Sequence, residues 1–192
     1  MGTLLSVLAG LGLAAACGFR VFVPLLVLSL ASRAGEMTLG HGFGWIGSYP
    51  ALLAFAVATI VEIAGYYIPW VDNLLDAIAT PTAIVAGILV TASAIGHASP
   101  FLQWTIAILA GGGTAAIFQG ITATARQVST FTTGGLGNPV VSTVEAGGSA
   151  LLSVLAVTVP LLAFLAVFLL LFFGVKKLLF RRPAGSASPR VT

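Results

Sequence analysis

An apolar run from Leu4 to Ala31 contains a single charged side chain, Arg20, followed closely by Pro24. An ionisable side chain at membrane depth is costly, so it usually faces a partner, a cavity or a ligand. Proline removes a backbone donor and kinks a helix. The sequence therefore predicts a first membrane helix over residues 3–30 that tilts, or breaks near Gly18 and Pro24, around a buried arginine.

The composition excludes an ordinary soluble domain. Of the 192 residues, 58% are hydrophobic and only 7% are charged, with a mean hydropathy of +1.11, which leaves too few charges to cover a soluble surface. The net charge of +3 is not a nucleic-acid signal, because five of the eight Lys and Arg residues lie near the C-terminus. We predict a single transmembrane domain over residues 1–178 and a flexible, basic, cytoplasmic tail over residues 179–192.

Apolar segments separated by Pro and Gly predict an all-α fold, a polytopic transmembrane helical bundle of five to six spans. Further helices are expected over residues 51–68, 82–96, 101–125, 140–158 and 161–175, the last two forming either one kinked helix or a hairpin. Pro69 and Pro160 are predicted to end helices. We also expect a short surface helix over residues 69–76 and a polar, Gly-rich loop over residues 129–139 that lines a cavity or faces water.

An internal repeat relates the two halves of the chain. Each half has a Gly-rich helix with one arginine, Arg20 or Arg126, and then a glutamate in a similar setting, Glu62 or Glu145. Three helices per half would give equivalent helices opposite orientations, which is the inverted-repeat plan of many transporters. The sequence thus raises the possibility of an inverted 3+3 repeat.

Several of these stretches together resemble a family of small bacterial membrane proteins known as domain of unknown function 4126. The matching stretches are residues 18–25, residues 62–72 with Asp76, residues 124–126 and residues 142–145. The resemblance covers about Leu8 to Pro160 and implies a fold rather than an activity. Similar proteins often carry an acid–base pair where this chain has Tyr66 and Tyr67, so the charged network that the resemblance implies is smaller here.

The candidate substrate-binding residues are Arg20, Glu62, Arg126 and Glu145. A guanidinium group binds carboxylate or phosphate well, and a buried carboxylate can pair with it or carry a proton. The alternative is that these residues form structural ion pairs that fix helix register. For Arg126 a further alternative is an interfacial position at a helix end.

We expect no cofactor and no metal site. Asp72 and Asp76 could bind a hard cation, but two carboxylates supply too few ligands, and a solvated helix face with Asp72 as N-cap is the simpler interpretation. Ser142 and Glu145 are interpreted as a capping pair that opens a helix. The sequence shows no nucleophile or metal constellation, so an enzyme is not expected.

The function predicted from these features is a small-solute or ion transporter, or a channel-like protein, with Arg20 binding an anionic solute at mid-membrane depth. The alternative is a non-transporting scaffold or lipid-binding protein whose buried charges are structural. The expected partners are the lipid bilayer, a small anionic solute and a second copy of the chain, and not nucleic acid. The resemblance implies the bacterial cytoplasmic membrane, with several passes and, from the basic tail, a cytoplasmic C-terminus.

Overall fold

The structure, a computed structural model, describes residues 2–96 and 98–179. The helices are α1 (Thr3–Cys17), α2 (Phe22–Arg33), α3 (Tyr49–Gly65), α4 (Pro69–Ala94), α5 (Pro100–Ile106), α6 (Gly113–Thr133), α7 (Asn138–Thr158) and α8 (Pro160–Leu179). A short 3-10 segment, Gly44–Gly47, precedes α3, and a π-helical segment, Ala107–Gly112, joins α5 to α6. The prediction of an all-α helical bundle is confirmed.

Three helical stretches are long and apolar enough to cross a membrane: Leu74–Ala94, Pro100–Thr133 and Asn138–Thr158. The other apolar stretches are shorter, and the span count of five to six and the inverted repeat stay predictions. The predicted tail, residues 179–192, lies outside the described residues except for Leu179, which ends α8.

The first predicted helix, residues 3–30, forms a helical hairpin, so the predicted break near Gly18 is found and a single tilted helix is not. The chain breaks at residues 18–21 between α1 and α2, and the two outer ends return to the same place, since Ser6 and Gly35 line one cavity of about 220 Å³. Pro24 does not cause the break, because it lies in the first turn of α2, where a missing N–H group needs no partner. Gly18 is the residue at the break, and it caps α1.

The hairpin tip lies inside the bundle because its neighbours satisfy its free carbonyl groups. The hydroxyl of Thr122 in α6 donates to the Gly18 carbonyl (3.2 Å), and the hydroxyl of Ser149 in α7 donates to the Ala16 carbonyl (2.9 Å). Non-helical backbone at membrane depth is tolerated only where protein buries it in this way. The hairpin therefore delivers Arg20, the residue after the turn, to the middle of the protein.

Small residues on α1 let its neighbours approach closely. Helix α1 contacts α2, α4, α6, α7 and α8. A Cβ atom on Gly12 would lie 2.8 Å from the Cβ of Ala156 in α7 and 3.1 Å from that of Ala163 in α8, and a Cβ on Gly18 would lie 2.4 Å from the Cβ of Phe118. Packing through small residues is how helices associate where lipid removes the hydrophobic driving force.

Helix α4 is continuous, which corrects two predictions. The expected surface helix over residues 69–76 and the separate helix over residues 82–96 are one helix, with Pro81 inside it. Pro69 occupies its first position, where proline is well tolerated, and the N-cap is Ile68 rather than Asp72. Packing against α1 and α6 therefore outweighs the local cost of Pro81.

The second half also differs from the prediction at its helix ends. Helix α6 runs to Thr133, so Arg126 lies inside a helix, and the predicted loop over residues 129–139 shrinks to a turn in which Gly134 and Gly135 have positive φ angles of 63° and 89°. Helix α7 ends at Thr158 and Pro160 begins α8. Proline at these helix starts marks the boundaries that the sequence predicted near Pro69 and Pro160.

Candidate functional site

Six ionisable side chains converge between the hairpin tip and the adjoining ends of α3, α4, α6 and α7. We call them the charged cluster: Arg20, Glu62, Asp72, Asp76, Arg126 and Glu145. They include four of the five acidic residues of the chain. The four residues that the sequence predicted as a site are brought together, and the two aspartates, predicted to face solvent, join them.

Arg126 lies at the centre of the charged cluster and uses three nitrogens. Its Nε donates to Oε1 of Glu145 (3.1 Å) and its Nη2 to Oε2 of the same carboxylate, a bidentate pair. Its Nη1 donates to Oδ1 of Asp72 (3.0 Å) and Oδ1 of Asp76 (3.1 Å), which stand one turn apart on α4. Arg126 is buried, so the interpretation as an interfacial helix end is wrong.

Asp72 and Asp76 therefore do not form a solvated helix face. Asp72 is only 4% exposed, and its second oxygen accepts from Nδ2 of Asn138 at 3.0 Å. Nη1 of Arg126 lies within hydrogen-bonding distance of the carboxylates of Asp72 and Asp76. It occupies the space between them that a metal ion would need. Across the described ranges, 2–96 and 98–179, the structure has no group of three or more His, Cys, Asp or Glu side chains placed to hold a metal.

Arg20 is 1% exposed and faces α7 rather than Glu62. Its Nη2 donates to the carbonyl (3.0 Å) and the hydroxyl of Ser142 and lies 3.4 Å from Oε2 of Glu145. Ser142 and Glu145 are thus not a capping pair, because α7 begins at Asn138 and both side chains point from its interior to the arginines. Within the described part of the chain, Nε and Nη1 of Arg20 have no hydrogen-bond partner.

Glu62 has a different role from the other carboxylates. Its two oxygens accept from the backbone N–H groups of Val21 (2.8 Å) and Phe22 (3.0 Å), at the start of α2. A helix start carries unpaired N–H groups and a partial positive charge, so a carboxylate is stabilised there. A side chain near the end of α3 therefore closes the first turn of α2 and fixes the hairpin tip.

The ring of Tyr66 lies between the two arginines. The guanidinium carbon of Arg20 is 3.8 Å from the ring centroid and that of Arg126 is 3.7 Å from it. Such stacking keeps two like charges apart while each gains an attraction to the ring. Tyr66 lies in the linker between α3 and α4.

Two cavities adjoin the charged cluster, and Tyr66 lines both. Cavity A, of about 170 Å³, lies between α2, α3, α4 and α6, and its polar lining includes Glu62, Gln119 and Thr82. Cavity B, of about 270 Å³, lies at the turn between α6 and α7, and its polar lining includes Asp72, Asn138 and Thr130. Arg20 lines neither cavity.

Tyr66 and Asn138 were not predicted as site residues. Ser142 was predicted to cap a helix and not to hydrogen-bond to Arg20. A weak signal existed for Ser142, which lies three residues before Glu145 and therefore on the same face of a helix. For Tyr66 the signal was its place where similar proteins carry an acid–base pair. Asn138 gave no signal, because its position depends on how the turn before α7 meets α4 in space.

The charged cluster contains two more carboxyl groups than guanidinium groups. Because unbalanced charge is costly away from water, such a cluster favours the uptake of positive charge, either a proton or a cation. The carboxylate oxygens already accept hydrogen bonds from N–H groups, so the cluster offers few free oxygens for a metal ion.

A model of the family described as "Domain of unknown function (DUF4126)" matches residues 7–179, so the chain belongs to this family. Neither the comparison with curated proteins nor that with solved structures gives a match.

Proposed function

We propose that this DUF4126 protein is a small membrane transporter of ions, and that the ion is a proton. One observation carries the proposal: the charged cluster sets four carboxyl groups, three of them buried and that of Asp76 half-buried, against two buried guanidinium groups, beside two cavities. Ionisable residues at membrane depth typically mark ion pathways and proton relays.

A proton fits this site better than an anion or a metal cation. The surplus of carboxyl groups repels an anion, and Arg20, the predicted anion ligand, is already bound by Ser142 and Glu145 and lines neither cavity. A metal cation needs several free oxygens, whereas a proton needs one lone pair. The proposal therefore replaces the expected anionic solute with a proton.

The broken hairpin gives independent support. Transporters often bind their ions at helices that are interrupted inside the membrane, where a helix start faces the site. Here the start of α2 faces Glu62, and the break at residues 18–21 places Arg20 beside Glu145. We place the protein in the bacterial cytoplasmic membrane with a cytoplasmic C-terminus, and assign it no enzymatic activity and no cofactor.

Proton flux into liposomes tests the proposal. Purified protein is reconstituted with an entrapped pH-sensitive dye, and a potassium gradient with valinomycin sets the membrane potential. We expect internal acidification that needs the protein and that Asp72→Asn reduces about tenfold or more, since Asp72 lines cavity B and an amide cannot exchange a proton there. Glu36→Gln is the matched control, because Glu36 is exposed and outside the charged cluster.

Equal dye responses with and without protein, at potentials of either sign, would overturn the proposal. Measuring chloride and phosphate uptake in the same liposomes tests the original expectation of an anion. Uptake of either anion without proton movement would indicate an anion transporter with Arg20 as the anion-binding residue.

A second candidate, a membrane scaffold, is favoured by one observation: Arg20 is sealed by Ser142, Glu145 and the Tyr66 ring. If the protein is a scaffold, the wild type conducts no ions. Variants that remove a charge then change only the stability of the protein. Thermal unfolding measured beside the flux assay separates the two functions.

A further inference from the structure

We propose that Tyr66 is the partition of the ion path: its ring separates cavity A from cavity B, and movement of the ring connects them. The identity of the ion that would cross the partition, a proton, rests on the proposed function. The separation itself is a property of the packing and can be tested without any flux.

The lining of the two cavities supports the partition. Cavity A reaches Glu62, and cavity B reaches Asp72, so each side of the ring has its own carboxylate. Tyr66 is the residue that lines both cavities. A proton that passes directly from one cavity to the other meets this ring.

The stacking on the two arginines explains why the ring keeps its place. Arg20 and Arg126 hold opposite faces of the ring, at 3.8 Å and 3.7 Å from its centroid. Arg20 is fixed to α7 through Ser142, and Arg126 is fixed to α4 and α7 through carboxylates. The ring is thus a flat barrier whose two supports belong to different elements, the hairpin tip and α6.

Movement of the ring would leave the hydrogen bonds of its neighbours intact. Tyr66 follows the last residue of α3, and the linker to α4 is only three residues long, from Tyr66 to Ile68. Its ring is held by cation–π contacts with neighbours whose own hydrogen bonds do not involve the tyrosine. Rotation of the ring breaks none of the ion pairs of the charged cluster.

Thiol accessibility tests the partition directly. Cys17 is the only cysteine, so Cys17→Ala gives a cysteine-free background, into which Ala79→Cys places a thiol in cavity A and Asn138→Cys one in cavity B. The labelling rate with a small cationic methanethiosulfonate is then measured with and without Tyr66→Ala. We expect this change to speed labelling at position 79 about tenfold and to leave position 138 unchanged, since the exposed rim of cavity B, which includes Leu136, admits a water-soluble reagent and the ring bars it from cavity A.

Tyr66→Phe is the matched variant, because it keeps the ring and removes the hydroxyl group. It should leave the labelling rate at position 79 unchanged. Labelling at position 79 that is as fast in Tyr66→Phe protein as in Tyr66→Ala protein would overturn the partition, because the ring is still present.

An unchanged labelling rate at position 79 in Tyr66→Ala protein that still melts cooperatively would overturn the partition. If Tyr66→Ala abolishes the melting transition, Tyr66→Leu takes its place with the same expected and the same contrary result. Faster labelling without any proton flux would support the partition and reject the proposed function. Proton flux without faster labelling would support the proposed function and reject the partition.

Discussion

At the scale of single residues, one carboxylate serves both arginines. Oε2 of Glu145 accepts from Arg126 and lies 3.4 Å from Nη2 of Arg20. Glu145 thereby joins the hairpin tip to α6 through α7. The sequence identified all three residues as candidates, but it left open which glutamate each arginine contacts, because sequence order gives no distance between the two halves of the chain.

Removing Arg126 should be the most damaging single change in the charged cluster. Arg126→Ala leaves Asp72, Asp76 and Glu145 without their shared partner, and breaking a buried pair this way typically costs about 3–5 kcal/mol in free energy of unfolding. Thermal or denaturant unfolding in detergent measures the loss. The control is Arg33→Ala, because Arg33 is exposed and donates to the Gly47 carbonyl, so its loss should cost under about 1 kcal/mol. Equal losses from the two variants would contradict the central role of Arg126.

At the scale of helices, the hairpin tip depends on contacts from other elements. Gly18 has an ordinary φ of −70°, so its requirement for glycine comes from space alone. A Cβ atom there would lie 2.4 Å from the Cβ of Phe118 and 2.8 Å from the Ala115 carbonyl oxygen. The backbone of α6 cannot easily move aside, because it packs on α4 as well.

Gly18→Ala should therefore destabilise the protein by about 1–3 kcal/mol, the usual cost of overpacking. Gly120→Ala is the matched control in α6, since a Cβ there meets nothing within 4 Å. That variant should be neutral, or more stable by up to about 1 kcal/mol, because alanine favours a helix. Comparing the two melting temperatures measures the difference, and a Gly18→Ala protein as stable as the wild type would show that the tip is loosely packed.

The first turn of α2 should open when Glu62 is changed. Glu62→Ala removes both acceptors of the Val21 and Phe22 N–H groups, whereas Glu62→Gln keeps one carbonyl oxygen. We expect faster hydrogen exchange over residues 18–24, larger for alanine than for glutamine. Ser48→Ala, which removes the acceptor at the start of α3, should speed exchange only there. Exchange at the tip that does not depend on residue 62 would reject the capping role.

The sequence predicted which segments are helical better than it predicted where they end. Apolar length and proline positions located most helices, because both are local properties. Residues 77–81 and 129–133 were wrongly predicted to lie outside helices, since α4 continues through Pro81 and α6 continues through a polar stretch to Thr133. Asp72 and Asp76 were assigned to solvent because nothing in the sequence placed Arg126 beside them.

At the scale of the whole molecule, the described residues pack around α1, and Cys17 lies at its end, fully buried. As the sole cysteine, it reports opening of the core. We expect negligible maleimide labelling of the native protein in mild detergent and complete labelling in denaturant. The labelling rate should rise in Arg126→Ala protein in proportion to the population of open molecules. Rapid labelling of the native wild type would contradict the packing of the tip.

The hairpin also determines the direction in which the later helices run relative to the N-terminus. Because Ser6 and Gly35 meet at one cavity, the first 35 residues enter the bundle and leave it at the same end. A hairpin whose two outer ends lie at the same end of the bundle would not count as a crossing of a membrane. A hydropathy count that scores residues 3–30 as one crossing therefore inverts, relative to the N-terminus, the orientation of every helix after it. Sidedness in this chain thus turns on four residues of non-helical backbone, residues 18–21.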